Sequence, residues 1–143
     1  MPELVLVDGY NLIRQSGAFS DLAEADLGAA RQQLVDRLCN YAGFTGAEVW
    51  AVFDAYRVKG RGPREDDFHG VRVIYTEKDE TADAFIERAS REAGKRRVRV
   101  VSSDAQVQQI SLGHGALRAS SREFLEEMSA CEEAIRAVLD GQR

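Results

Sequence analysis

Short apolar runs recur along this chain, and most of them are separated by segments with a helical spacing of apolar residues. The runs read LVLV, EVWAVF, VRVIYT and RVRVV, and they begin near residues 4, 48, 71 and 97. The first run lacks the alternation of a strand with one solvated face, which is typical of a strand buried on both faces. Strands that alternate with helices in this order predict an α/β fold, with a parallel sheet between two helical layers.

The segments between the runs have helical patterns, with two exceptions. Four helices are predicted: about Asp21–Ala42, 79–94, 105–113 and 120–140. In the last helix Ser120 and Glu123 form a capping box. The predicted buried stripe of that helix is Phe124, Leu125, Met128, Cys131, Ile135, Val138 and Leu139. Residues 55–70 and 113–118 are rich in glycine and charge and are predicted to be loops.

The composition is that of one ordinary globular domain over residues 1–143. Hydrophobic residues make up 44% and charged residues 30% of the chain, which is enough for a core without disulfides. No secretory signal pattern and no apolar run of roughly 20 residues occur, so we expect a cytoplasmic protein without a membrane segment. Cys39 and Cys131 are expected to be buried thiols, and Trp50 is expected in the core.

Charge is distributed unevenly along the chain. The formal net charge of -5 argues against nonspecific nucleic-acid binding by the molecule as a whole. Two segments are nevertheless basic, namely YRVKGRGPR at residues 56–64 and REAGKRRVR at residues 91–99. The first of them directly follows a predicted strand end, where it is placed to contact RNA phosphates.

An acidic residue lies at or soon after the carboxyl end of every predicted strand. Asp8 and Asp54 directly follow the first two strands. Asp104 follows the fourth strand after two serines, and Asp83 lies one turn into the helix after the third strand. In a parallel sheet these ends meet at one edge, where ligands bind in such folds. Converging carboxylates repel one another unless a cation lies between them, and oxygen ligands suit Mg²⁺ or Mn²⁺, which promote phosphodiester hydrolysis.

Each of these residues also has a purely structural interpretation. A carboxylate in a first helical turn, such as Asp83, complements the helix dipole, and Asp104 is placed to cap the next helix. Asp8 is harder to explain in this way, because a carboxylate at the end of a doubly buried strand must be hydrogen-bonded or liganded. His69 and His114 lack the spacing of a metal site and are expected in loops.

Five blocks of the sequence resemble a known family. They read LVDGYNLI, VFDAYRVKG, TEKDETADAFIE, VVSSDAQVQQ and GHGALRASSREFL, and they cover essentially the whole chain in order. On these blocks the chain resembles the YacP-like NYN-domain family, which is part of the PIN-like and 5′-nuclease-like group. The resemblance implies a three-layer α/β/α sandwich with a central, mainly parallel sheet. It also implies a metal-dependent endoribonuclease that associates with ribosomes and cleaves mRNA.

The resemblance also assigns roles to individual residues. The positions implied to be catalytic are Asp8, Asn11, Asp83 and Asp104. The implied metal ligands are Asp8, Asp83 and Asp104, with Asp54 and Glu80 as further candidates. Apart from the resemblance, the position of the basic run directly after Asp54 makes Arg57, Lys59, Arg61 and Arg64 expected RNA contacts, and Arg118 is a further candidate. The family does not require a histidine at His114, so no catalytic role is assigned to it.

The resulting hypothesis is an endoribonuclease with one or two Mg²⁺ or Mn²⁺ ions, with mRNA as substrate and the ribosome as partner. One alternative is a non-catalytic module of the same fold that binds RNA or the ribosome. Another is a different α/β enzyme that uses an aspartate. A haloacid-dehalogenase phosphatase would have an aspartate in place of Tyr10, a receiver domain would need a lysine for which no candidate exists, and a P-loop sequence is absent.

Overall fold

The computed structural model describes residues 1–54, 64–113 and 115–141. Within these residues the chain forms six strands and six helices. In chain order they are β1 (Leu4–Asp8), α1 (Gly9–Gln15), α2 (Gly17–Ala25), α3 (Leu27–Thr45), β2 (Glu48–Phe53), β3 (Arg64–Phe68), β4 (Val71–Tyr75), α4 (Ala82–Glu92), β5 (Val98–Val101), α5 (Ala105–Gly113), β6 (Leu117–Ala119) and α6 (Ser121–Gly141).

The strands form one sheet in the order β3-β4-β2-β1-β5-β6. β1 pairs in parallel with both β2 and β5, and β4 and β6 extend the parallel arrangement on either side. Of the described strands, only β3 at the edge is antiparallel to its neighbour. The chain leaves β1 first toward β2 and later toward β5, so the connections change direction around β1. Ligands bind at this position in open α/β sheets.

The two faces of the sheet are covered by different helices. Val5 and Val7 face a core formed with α1, α2, α3 and α6, whereas Leu4 and Leu6 face a core formed with α4 and α5. All five residues of β1 are buried, as predicted for a strand covered on both faces. The predicted α/β fold with a mainly parallel sheet between helical layers is therefore confirmed.

The first helical region differs from the prediction of one helix over Asp21–Ala42. The structure has three helices between β1 and β2, and the first begins directly after Asp8. Asp26 separates α2 from α3, since its extended backbone (φ -156°) ends one helix and its Oδ1 accepts the Ala29 N–H of the next at 3.0 Å. The helical spacing of apolar residues continues along the sequence across Asp26, so the break between α2 and α3 could not be predicted from it.

Both predicted loops contain an edge strand. Within the predicted loop 55–70, β3 runs over Arg64–Phe68 and forms a hairpin with β4, in which His69 (φ 42°) and Gly70 (φ 89°) make the turn. Within 113–118, β6 begins at Leu117 and pairs with β5. Edge strands tolerate charge and can be very short, so neither strand shows an apolar run.

The closing helix α6 is buried over only part of its length. Its capping box is present, because Glu123 N–H donates to Ser120 Oγ at 3.0 Å and Ser120 N–H donates to Glu123 Oε1 at 3.1 Å. The predicted stripe is wrong at its end, where Val138 and Leu139 are 54% and 56% exposed. These last turns lie beside the end of α3, where Val138 and Leu139 line an open pocket with Gly43 and Phe44.

Three further expectations about burial need correction. Cys39 and Cys131 are only partly buried. Trp50 is also only partly buried, and the Arg72 guanidinium lies 4.6 Å from its ring centroid, which gives the ring a cation–π partner at the surface.

Among the described residues, no helix is long and apolar enough to cross a membrane.

Candidate active site at the carboxyl edge of the sheet

Asp8 lies at the centre of the candidate site. It is the last residue of β1 and the N-cap of α1, and it is only 7% exposed. Its Oδ1 accepts the Asn11 N–H at 3.4 Å, and its Oδ2 accepts the Ser102 hydroxyl at 3.2 Å. The requirement that this buried carboxylate be hydrogen-bonded is therefore met by donors from α1 and from the end of β5.

Gly9 is required here for space. It is the first residue of α1, and its φ is not positive, so the backbone conformation itself does not require glycine. A Cβ at this position would lie 2.3 Å from Cε1 of the fully buried Phe53 ring. The close approach of α1 to β2 therefore depends on the missing side chain, and it fixes where Asp8 emerges from the sheet.

Four aspartates share one electrostatic environment at this edge. Burial raises the pKa of Asp8 to about 6, repulsion from Asp83 and Asp54 adds to that increase, and the bonds from Asn11 and Ser102 oppose it. Burial also raises the pKa of Asp83, with repulsion from Asp104 and Asp54 as further causes. These carboxylates are thus close enough to repel one another in pairs, and the repulsion makes the ionised forms of Asp8 and Asp83 less favourable.

Asp54 and Asp104 both contact the start of a helix. Asp54 Oδ1 accepts the Ala82 N–H at 2.7 Å, which joins the end of β2 to the first turn of α4, where Asp83 lies. Asp104 Oδ1 accepts the Gln106 N–H at 2.8 Å at the start of α5. The structural interpretation of Asp104 as a helix cap therefore holds for this one oxygen atom, and Asp83 occupies the first turn of α4 as that interpretation also required.

Asn11 links three segments around the site. Its Oδ1 accepts the Ser103 N–H at 2.8 Å and the Ser121 hydroxyl at 2.7 Å. A backbone N–H can only donate, so this contact fixes which way the amide lies. Asn11 is 8% exposed, and its carbonyl oxygen holds the β5–α5 connection and the start of α6 against α1.

The sequence did not identify Ser102 as part of the site. Its hydroxyl donates to Asp8 Oδ2 and accepts the Asp104 N–H at 3.1 Å, so it connects two of the predicted ligands. Ser102 is completely buried. The available signal was a small hydroxyl residue between a buried strand and an aspartate. Arg14, in the last turn of α1, was also missed, and its positive charge lowers the pKa of Asp83.

The remaining predicted residues lie elsewhere or outside the described part. Glu80 forms an ion pair with Arg88, whose Nη1 lies 3.0 Å from its Oε2. Arg118 is exposed in the edge strand β6. Arg64 begins β3, opposite Tyr75 of β4. Outside the described residues lie Arg57, Lys59, Arg61 and His114.

The donors at this edge are carboxylate, amide and hydroxyl oxygens, which suit a hard divalent cation. Within residues 1–54, 64–113 and 115–141, no three acidic, histidine or cysteine side chains form a group able to hold a metal ion directly. Mg²⁺ is often held by one or two carboxylates and keeps several waters, so an arrangement of separated carboxylates fits a hydrated ion. Asp8 and Asp83 are the pair that would hold it, since each has a pKa raised by burial and by neighbouring carboxylates.

The sheet order, the two helical layers and the acidic carboxyl edge define an α/β domain of nuclease type. The chain belongs to the YacP-like NYN domain family, whose family model matches residues 5–143. NYN and PIN-like domains are generally nucleases.

Known relatives extend this comparison. The chain is 37% identical to YacP of Bacillus subtilis (strain 168) over 135 residues, which is 93% of this chain and 79% of YacP. The crystal structure of Rae1 (YacP) from Bacillus subtilis superimposes with a TM-score of 0.85 at 36% identity, covering 96% of this chain and 80% of that one. A single-substitution mutant of the same protein gives a TM-score of 0.82 at 34% identity, covering 94% and 80%.

Proposed function

We propose that this protein is a metal-dependent endoribonuclease that hydrolyses phosphodiester bonds of RNA. The observation that carries this proposal is the position of Asp8, a buried carboxylate at the switch point of the sheet. Asp83 and Asp54 are close enough to raise its pKa, and Asp104 is close enough to raise the pKa of Asp83. The membership in a family of nuclease-type domains supports the same reaction class. One or two Mg²⁺ or Mn²⁺ ions are the proposed cofactor.

A cation at this edge would remove an unfavourable feature of the fold. Asp8 and Asp83 have raised pKa values because their negative charges are buried near other negative charges. Asp104, and Asp54 through the oxygen that does not accept the Ala82 N–H, would complete the coordination directly or through water. The proposed assignment therefore keeps the predicted ligands Asp8, Asp83, Asp104 and Asp54 and leaves out Glu80, which has its own cationic partner.

The bound ion would supply a water of lowered pKa and would screen the charge that develops on the phosphate. The residues of the chain do the positioning. Ser102 and the Asn11 N–H fix the two oxygens of Asp8, and the Asn11 side chain fixes the segment that carries Asp104. Arg14 provides a positive charge beside Asp83 for a neighbouring phosphate. Attack by water predicts products with a 5′-phosphate and a 3′-hydroxyl.

The proposed substrate is mRNA and the proposed partner is the ribosome, as the family resemblance implies. The exposed Arg118 and the basic segment at residues 57–64 are the proposed contacts to RNA phosphates. We further propose that the protein acts in the cytoplasm, where both mRNA and ribosomes are available to it.

The direct test is cleavage of a labelled RNA by the purified protein in Mn²⁺, in Mg²⁺ and in EDTA. Asp8→Asn should abolish cleavage while keeping an acceptor for the Asn11 N–H. Asp140→Asn is the matched control, because Asp140 is an exposed acid near the end of α6. Cleavage that persists in Asp8→Asn or in EDTA would contradict the assignment. Analysis of the product ends checks the expected 5′-phosphate.

A binding module without catalysis is the second candidate function. It is favoured by the absence, in the described residues, of three side chains arranged to hold a metal directly. Assays on translating ribosomes separate the two functions. If RNA stays intact there with Mn²⁺ present while the protein co-sediments with ribosomes, the binding function is correct.

A further inference from the structure

A second site lies at the end of the sheet where the parallel strands begin, opposite the end where the four aspartates lie. A cavity of about 390 Å³ is formed there by the end of α4, the connection from α4 to β5, and the start of β6. The four residues of β5 separate this edge from the Ser102–Asp104 segment by about 13 Å. The cavity is therefore distinct from the candidate active site.

Three consecutive cations line this cavity, Lys95, Arg96 and Arg97, and none of its described lining residues is acidic. Arg96 is already engaged, since its Nη2 donates to Glu48 at 2.8 Å and its Nε donates to the Pro2 carbonyl at 3.2 Å. The other two are more available. Within the described residues Lys95 forms no ion pair, and the side chain of Arg97 is 71% exposed with a single contact of 3.4 Å to Glu3.

The end of α4 opposes the binding of an anion here, so the two effects must be compared. The carbonyl end of a helix is equivalent to roughly half of a negative charge. Two available full positive charges, at Lys95 and Arg97, exceed it. The electrostatic preference of the cavity is therefore for an anion.

A buried hydroxyl group supplies independent evidence for a ligand. Ser90, in the last turns of α4, lines the cavity and is only 4% exposed. Its Oγ has no hydrogen-bond partner among the described residues. Buried hydroxyls are normally paired, because an unsatisfied one loses its bonds to water without replacement. The Oγ atom has almost no accessible surface in this rotamer, so a rotation about the Ser90 χ1 bond would be needed to present its hydroxyl to an acceptor atom in the cavity.

We propose that this cavity binds a phosphate group, with Ser90 donating a hydrogen bond to a phosphate oxygen and Lys95 and Arg97 neutralising its charge. The volume is enough for a phosphate with an attached sugar. No aromatic side chain occurs among the described lining residues, so the phosphate and not a base is the recognised group. Gly94 and Gly115 leave the backbone open to the ligand, since nothing lies within 4 Å of a Cβ at either position. Phosphate binding in this cavity does not require nuclease activity.

Two sources provide this chemistry, a free phosphate compound and the phosphate of an RNA strand. The experiment is a titration of ¹⁵N-labelled protein in EDTA with inorganic phosphate, with 5′-phosphorylated RNA and with the same RNA ending in a 5′-hydroxyl. We expect phosphate to shift the amide signals of Gly94 and Gly115. If only the phosphorylated RNA binds more tightly than phosphate itself, RNA is the source, and if inorganic phosphate binds as well as either RNA, a free compound is the source.

The variants decide whether the proposed residues bind the phosphate. Ser90→Ala should weaken phosphate binding at least about tenfold, the effect of losing a hydrogen bond to a charged group. It should not lower stability, since the hydroxyl has no partner within the protein. The double variant Lys95→Gln with Arg97→Gln should abolish binding, and Arg91→Gln, an exposed cation of the same helix outside the cavity, should not affect it. Absence of binding by the unchanged protein, or equal binding by Ser90→Ala and Arg91→Gln, would overturn the proposal, as would a loss of stability in Ser90→Ala.

Discussion

The burial of Asp8 predicts a particular dependence of stability on pH. The folded protein retains the Asp8 proton up to about pH 6, whereas an exposed aspartate releases it near 3.8. Between these values the folded state binds more protons than the unfolded state, so the free energy of unfolding falls as pH rises. Below the lower value Asp8 is protonated in both states and contributes no difference. Above the upper value its full unfavourable contribution is present.

The size of this contribution follows from the two pKa values. The difference between 3.8 and about 6 corresponds to roughly 3 kcal/mol. Asp8→Asn removes the charge but keeps an oxygen for the Asn11 N–H, and the Ser102 hydroxyl can accept from the new amide. In EDTA at about pH 8 the variant should therefore be more stable than the unchanged protein by up to roughly 3 kcal/mol.

Urea denaturation at about pH 4 and about pH 8 measures this prediction, because the other titrating groups largely cancel in the comparison. The gain should be small at the lower pH and large at the higher one. Asp140→Asn is the matched control and should show no comparable change between the two pH values. A variant that is less stable at both, by the same amount, would refute the reasoning and leave Asp8 as an ordinary helix cap. If the reasoning is correct, Mg²⁺ added in place of EDTA should stabilise the unchanged protein and not the Asp8→Asn variant.

Three further substitutions test other contacts of the site. Gly9→Ala should destabilise the fold by about 1–3 kcal/mol in urea titrations, because its Cβ would overlap a buried ring of β2, and a gain in stability would contradict this. Ser102→Ala should lower the free energy of unfolding by about 1–3 kcal/mol, because the variant loses a buried hydrogen bond. It should also raise the pKa of Asp8 further, which shifts the acidic limb of the pH–rate profile to higher pH. Arg14→Gln should weaken RNA binding more than turnover and reduce its salt dependence, and an effect on kcat alone would exclude a phosphate contact. It should also raise the pKa of the nearby Asp83.

The central strands could be predicted because burial on both faces requires apolar residues at successive positions. β1, β2, β4 and β5 each coincide closely with an apolar run. The edge strands β3 and β6 could not be found in this way. β3 reads REDDF and β6 has three residues, and a strand with a neighbour on one side only is under weaker compositional constraint. α1 was missed for a different reason, since its seven residues are too few to show a helical period.

The positions of the aspartates could be predicted, whereas the contacts between them could not. Parallel strands bring their carboxyl ends to one edge, so topology alone places Asp8, Asp54 and Asp104 together. The bond from Ser102 to Asp8 joins residues 94 positions apart, and the bond from Ser121 to Asn11 joins residues 110 apart. Such contacts depend on side-chain orientations in the packed fold. No local pattern in the sequence specifies them.

The two interpretations of Asp8 can be separated by their energetic consequences. Asp8 is an N-cap, yet serine, threonine or asparagine would cap α1 about as well without a buried charge. The aspartate costs roughly 3 kcal/mol at neutral pH in the absence of a cation, which is a large share of the stability of a domain of this size. Capping does not offset this unfavourable free energy, because a neutral cap makes the same hydrogen bond to the Asn11 N–H. A cation bound beside Asp83 does, because it favours the ionised carboxylate that the fold alone disfavours.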